Sequence, residues 1–246
     1  MPVNKNVLIM QKLSIYFIFL SFLFYNVTRA EADTKKLEKA NDTSDCFQLY
    51  EEMNLDGIIN YIVFEYAYTG YNKIDVDNKE VMTLIDFSKP STEERFYVLD
   101  MYNKKLLFST YVAHGKKSGG NYATSFSNKP GSHKSSPGFY VTENAYNSRR
   151  NGYSLILNGL ERGINDNARA RSIVVHGAAY CDTSLIEDGS RLGRSFGCPA
   201  LPEDICEPII DTIKEGTLLY IYANDKNYLR QSKFIKENNL LLQSQK

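Results

Sequence analysis

Two short stretches hold the residue types that nucleophilic chemistry needs. Arg194-Ser195-Phe196-Gly197-Cys198-Pro199 puts a cysteine directly after a glycine, and Val175-His176-Gly177 puts a histidine at the end of an apolar run. A cysteine attacks as its thiolate, so at neutral pH it needs a base or a positive field beside it. Gly197 can take an unusual dihedral and bring the backbone close to a substrate. Backbone N–H groups at Gly197 and Cys198 are then candidates for receiving a developing oxyanion. Cys198 as nucleophile with His176 as base is one reading of the pair. A buried structural thiol beside a core histidine is a second. A zinc site from His176, Cys181, Cys198 and Cys206 is a third, though it lacks the close Cys-x-x-Cys spacing of structural zinc motifs.

The elements that must position these residues read as strands. Runs at 81–87, 95–101, 105–111, 138–142, 153–157, 172–176 and 217–222 are rich in β-branched and aromatic residues and are separated by turn signals. Asn103-Lys104 marks a hairpin between the second and third runs. The polar stretch from Gly115 to Gly131 has the length of a functional loop. Together these predict a mainly β fold with flanking helices, an antiparallel sandwich or barrel-like sheet. Residues 45–78 form an N-terminal helical segment expected to pack on the main domain. Cys46, Leu49, Tyr50 and Met53 recur at helical spacing, Asp56-Gly57 breaks the run, and Ile58, Ile59, Ile62, Val63, Tyr66 and Ala67 form a second stripe. Ile209, Ile210 and Ile213 predict a helix from about Glu207, with Pro208 in its first turn and Gly216 at its stop. The main domain then spans 79–223, and 224–246 reads as a polar, partly helical tail.

Composition narrows the function classes. The 246 residues carry 29 Lys+Arg and 29 Asp+Glu, so no net field points to nucleic acid or anionic lipid. The 43% hydrophobic content is that of an ordinary globular chain. Lys5 and Lys12 precede an apolar run from Leu13 to Tyr25, and Ala30-Glu31-Ala32 supplies small residues for cleavage. Residues 1–32 therefore read as a secretory signal peptide, with 33–44 as a polar tether. The apolar run is shorter than the ~20 residues a spanning helix needs, so stable membrane insertion after cleavage is not expected. An exported chain takes Cys46, Cys181, Cys198 and Cys206 into an oxidising compartment, where the sequence leaves their pairing open.

The arrangement His176-Gly177 followed by Ser195-Phe196-Gly197-Cys198 resembles the catalytic motif of the YkuD-type L,D-transpeptidases of peptidoglycan. Ser136-Pro137-Gly138-Phe139-Tyr140 is similar to the segment beside that family's cleft. Val112-Ala113-His114-Gly115-Lys116, Phe126-Ser127-Asn128-Lys129-Pro130-Gly131 and Gly197-Cys198-Pro199-Ala200-Leu201 resemble an exported branch, the murein L,D-transpeptidase catalytic-domain proteins. Phe196 departs from the better-known branch, which has a histidine there. Ala200 departs too, standing where that branch often has Arg or Asn.

The resemblance implies an L,D-transpeptidase-like mixed sheet and a cysteine-dependent acyltransferase acting on peptidoglycan stem peptides in the periplasm or cell envelope of a bacterium. It implies no cofactor and no metal, and leaves the oligomeric state open. Catalysis falls to Cys198 and His176, with Ser195, Gly197 and Gly177 shaping the turn. Arg194, Arg191, His114, Pro137, Gly138 and Tyr153 are the candidate substrate contacts. An L,D-carboxypeptidase using the same acyl-enzyme and a non-catalytic wall-binding domain are the alternatives. They differ in whether Cys198 lines a cleft within hydrogen-bond reach of His176 or is buried away from it.

Overall fold

A computed structural model describes residues 44–187 and 189–235. The expected signal peptide (1–32), nearly all of the expected tether and the last eleven residues of the expected tail lie outside them. Residues 44–52 are helical. Helix α1 (Tyr61–Lys73) follows, with the Asn60 side chain accepting from the Ile62 N–H as its cap. The sheet strands are β1 (Asn78–Asp86), β2 (Phe96–Asp100), β3 (Lys105–Thr110), β4 (Gly138–Ser148), β5 (Gly152–Gly159), β6 (Val174–Gly177), β7 (Ala200–Leu201) and β8 (Thr217–Tyr222). They form one 8-stranded sheet in the order β3-β2-β1-β8-β4-β5-β6-β7. It is mixed: β1 runs parallel to β8 and β6 parallel to β7, and the other neighbours are antiparallel.

The sheet nearly closes on itself. Just past β3, Ala113 makes an antiparallel bridge to Ala200 of β7, and Gly115 a parallel bridge to Ser195. Closure removes the exposed edges that a strand at either end would present. It also brings the chain after β3 against the chain before β7, where Cys198 lies.

The interior is apolar and continuous. Leu155, Leu157, Val175 and Leu219 on the sheet pack with Ile209, Ile210 and Ile213 of helix α3 (Glu203–Ile213). Full burial of each isoleucine contributes about 1.5–3 kcal/mol, enough to hold α3 across the sheet end near β6. On the opposite side Tyr66 of α1 stacks on Tyr222 of β8, with ring centroids 5.9 Å apart. Gly70 of the same helix lies against Phe139 of β4, where a Cβ would stand 2.1 Å from the ring.

Three details differ from the sequence expectations. Helix α3 begins at Glu203 rather than near Glu207, and Pro208 lies inside it. Pro208 withholds one N–H from the ladder, and the apolar stripe on the other face outweighs that single bond. Strand β4 continues to Ser148 through an irregularity between Thr142 and Ala145, carrying the hairpin tip Arg149-Arg150-Asn151 well past the expected end at Thr142. The start of the presumed polar tail is docked. After α2, a single turn at Ser184–Glu187, and α3, the last helix α4 (Lys226–Gln231) buries Tyr228 and Leu229, and Ile235 is buried beyond it. Ser232 donates to the buried Glu161 carboxylate, which also accepts the Phe139 N–H at 2.9 Å.

Candidate active site

The turn before β7 is held by one hydroxyl. Ser195 Oγ donates to the Cys198 carbonyl at 2.6 Å and accepts the Gly197 N–H at 3.0 Å. Gly197 sits at φ +129°, and a Cβ on it would stand 2.8 Å from the Lys134 carbonyl. Only glycine meets both demands. Because the Gly197 N–H is spent on Ser195, the expectation that it serves an oxyanion is corrected. The Cys198 N–H is the one of the pair with no protein acceptor among the described residues.

The turn is braced from outside by the loop after β3. Ser195 N–H donates to the His114 carbonyl at 3.0 Å and Lys116 N–H to the Ser195 carbonyl at 2.8 Å. Ser135 Oγ accepts the Gly115 N–H and donates to the Gly197 carbonyl at 3.2 Å. Behind this brace Arg95 is fully buried. Its guanidinium donates twice to the Val112 carbonyl, at 3.1 and 2.6 Å, once to Lys89, and once to His114 Nδ1 at 2.9 Å. The His114 ring is therefore neutral, with its proton on Nε2. Burial first, and the Arg95 charge second, push its pKa down to about 4.

Cys198 lines a cleft of about 560 Å³ together with His176, Tyr180, Arg194, Ser195 and Phe196. His176 ends β6, which pairs in parallel with β7 so that His176 stands beside Ala200, two residues past the cysteine. This register is what brings two distant stretches of chain to one cleft. His176 Nδ1 lies 2.8 Å from the Gly177 carbonyl, so Nδ1 carries the proton and Nε2 is left to accept one. Desolvation lowers the imidazole pKa, the Gly177 carbonyl opposes that, and Arg150 adds to it. A Cβ on Gly177 would stand 3.2 Å from the Cys206 Cβ, so helix α3 would have to give by a few tenths of an ångström.

The Cys198 thiol is free and 8% exposed. It donates to the Ser172 carbonyl at 3.6 Å and makes no hydrogen bond to His176. Such bonds are often unmade until substrate is bound. Desolvation raises its pKa; the Val174 N–H, then the Arg171 and Arg150 charges, and last the Cys198 N–H pull it back. Cys181 and Cys206 are also free thiols, and desolvation pushes each up to about 12. Cys181 donates to the Ala200 carbonyl at 3.2 Å. Among the described residues no group of three His, Cys, Asp or Glu side chains could hold a metal ion.

The candidate substrate contacts scatter. Arg194 lines the cleft, yet its Nη1 donates to the Gly119 carbonyl at 2.6 Å. Arg191 lines a different hollow and donates to the Leu192 carbonyl. Tyr153 points to helix α3, donating to Asp211 at 2.7 Å. Pro137 and Gly138 are buried behind the cleft, where Asn165 donates to the Pro137 carbonyl at 3.2 Å. His114 is buried behind the Ser195–Cys198 turn and reaches it through its carbonyl.

The cleft's cations are instead Arg150, at the β4–β5 hairpin tip, and Arg171, together with Arg194. No carboxylate lines it. Phe196, 47% exposed, carries the Lys116 ammonium at 4.2 Å and the Arg150 guanidinium at 5.0 Å from its ring centre, and meets the His133 ring edge-on at 4.7 Å. So the residue that replaces a motif histidine gathers cations at the cleft mouth. Sequence reasoning missed both arginines. Arg171 had a usable signal, since it lies just before the strand that ends in His176.

A family model described as the L,D-transpeptidase catalytic domain matches residues 56–222, which takes in α1 as well as the sheet. No curated protein matches the chain. Solved structures similar to it include an L,D-transpeptidase from Mycobacterium smegmatis, at 13% identity over 58% of this chain and 59% of that one, with a TM-score of 0.37. Another, from Mycobacterium tuberculosis H37Rv, has 13% identity over 58% of each chain and a TM-score of 0.39. A third, from Stackebrandtia nassauensis, has 12% identity over 73% of this chain and 76% of that one, with a TM-score of 0.35. The chain thus spans about three fifths of the length of the two mycobacterial structures. Likeness of this size carries no argument, whereas the family model covers well over half of the sequence. On that match, this chain belongs to the L,D-transpeptidase catalytic domain family.

Proposed function

We propose that this protein is an exported peptidoglycan L,D-transpeptidase that works through a Cys198 thioester. The observation that carries the reading is that Cys198 and His176 line one cleft, with His176 Nδ1 tied to the Gly177 carbonyl and Nε2 left as acceptor. His176 Nε2 takes the thiol proton, and the thiolate attacks the carbonyl carbon of the third residue of a tetrapeptide stem. The Cys198 N–H faces the developing oxyanion. The C–N bond breaks, and terminal D-Ala leaves as an amine with the proton from His176. An acceptor amine then attacks the thioester, gives its proton to His176 and restores the free thiolate. The cleft's arginines suit a substrate rich in carboxylates. The sequence at 1–32 fits delivery to the periplasm or cell envelope.

The test is incubation of the purified protein with disaccharide tetrapeptides, beside Cys198→Ala, read by mass spectrometry. Crosslinked dimers and a Cys198 acyl adduct are expected from the wild type only. Tripeptides without dimers would assign an L,D-carboxypeptidase, because water rather than an amine takes the acyl group. Absence of any adduct would leave a wall-binding domain.

A further inference from the structure

Arg171 is the least expected group in the cleft. It is half-buried and no carboxylate pairs with it among the described residues. Its fork is nonetheless fully used. Nη1 donates to the Ser127 carbonyl at 2.8 Å and Ser136 Oγ at 2.6 Å; Nη2 donates to the Lys134 carbonyl at 2.5 Å and Ser132 Oγ at 3.4 Å. These neutral acceptors fix the guanidinium in place without cancelling its charge. Nη2 would stand only 3.2 Å from a Cβ on Gly197, so the cation lies directly against the turn that carries Cys198. A Lys could not reproduce that planar fork.

We propose that Arg171 is a positioning residue for the Cys198 nucleophile, a fixed positive charge beneath the Gly197 turn that favours the thiolate over the thiol. The proposal rests on the reading of Cys198 as nucleophile. The neighbouring residue does the opposite job. Ser172, at φ +55°, aims its carbonyl at Cys198 Sγ and accepts the S–H. A carbonyl oxygen stabilises the protonated thiol and repels the ion. Adjacent residues thus hold the resting thiol and prepare its ionised form, and transfer of the proton to His176 moves the sulfur from one partner's influence to the other's. Arg150 is the second cation electrostatically linked to Cys198. It sits on a hairpin tip with its guanidinium over Phe196, and it lacks the four-acceptor lock of Arg171.

The experiment follows the rate of Cys198 alkylation by iodoacetamide against pH, with the modified cysteine located by peptide mass spectrometry. It needs no peptidoglycan, so its failure is distinct from failure of the transpeptidase reading. Arg171→Gln should alkylate about tenfold more slowly than wild type at pH 7, with its pH midpoint raised by about one unit. Arg171→Met, which keeps the aliphatic stem, should behave the same way and serves if the glutamine variant does not fold. Arg171→Lys, which keeps a cation there without the locked fork, should raise the midpoint less than either neutral variant. Arg150→Gln should shift it less than Arg171→Gln. A wild-type midpoint in both neutral variants would overturn the proposal. So would a midpoint in Arg171→Lys raised as far as theirs, because the effect would then belong to loop packing and not to charge.

Discussion

Ser195 Oγ joins the two ends of the turn it begins, donating to the Cys198 carbonyl at 2.6 Å while accepting the Gly197 N–H at 3.0 Å. One hydroxyl therefore sets the orientation of the peptide plane beside Cys198. Ser195→Ala removes both bonds and leaves the β7 and Gly115 bridges in place. The expected outcome is a folded protein whose acylation rate falls about tenfold to a hundredfold, since small misplacements of reacting groups cost that much. Single-turnover formation of the Cys198 adduct measures it. A rate within twofold of wild type would show that the turn holds itself.

Gly197→Ala tests the backbone instead. The φ of +129° is strained for any side chain, and the added Cβ meets the Lys134 carbonyl at 2.8 Å and Ile173 at 3.1 Å. Urea unfolding should show a loss of about 2–4 kcal/mol. An unchanged midpoint would mean that the 133–135 loop yields easily.

His114 should give the fold an acid limit. Its pKa is about 4 in the folded protein against an ordinary 6.5. The folded state thus binds fewer protons than the unfolded one between these values. Its contribution is present above pH 6.5 and is lost as pH falls through 6.5 towards 4, amounting to about 3 kcal/mol over the window. The buried Arg95 charge adds to the effect, as do Arg194 and Arg191. Unfolding free energies measured at pH 7, 5.5 and 4.5 should fall more steeply for the wild type than for His114→Gln. Coincident slopes would place the imidazole in contact with water.

The C-terminal stretch should be part of the folding unit. Ending the chain after Asn224 removes the buried Tyr228, Leu229 and Ile235 and strips Ser232 from the Glu161 carboxylate. Loss of three buried side chains and one buried hydrogen bond predicts a destabilisation of about 4 kcal/mol or more. Chemical denaturation of the truncated chain reads this directly, and a loss below 1 kcal/mol would return the segment to the status of a tail.

Local pattern accounts for much of what was legible beforehand. Alternating β-branched and aromatic runs mark seven of the eight strands, because a half-buried pleated surface demands that composition. Ala200-Leu201 escaped notice, as two residues carry no period. The helix of Ile209, Ile210 and Ile213 was visible from its stripe, while its start was misplaced because Pro208 reads as a boundary when judged without the packing that overrides it. Some helix was expected in 224–246, but its docking was not, since Tyr228, Leu229 and Ile235 are too sparse to announce burial.

The sequence by itself determined which atoms can do chemistry here: a thiol at Cys198, an imidazole at His176, a hydroxyl at Ser195, and a glycine at 197 that can take the strained turn. Those are properties of residue types and of neighbours along the chain. Only the tertiary structure decided what surrounds them. The parallel pairing of β6 with β7 sets His176 beside the Cys198 turn. Closure of the sheet through Ala113 and Gly115 puts His114 behind that turn rather than in the cleft. Arg171 and Arg150 became the cleft's cations, while Arg191 and Tyr153 were carried elsewhere. Electrostatic partners are chosen by distance through space, and distance through space is what a linear sequence leaves unspecified.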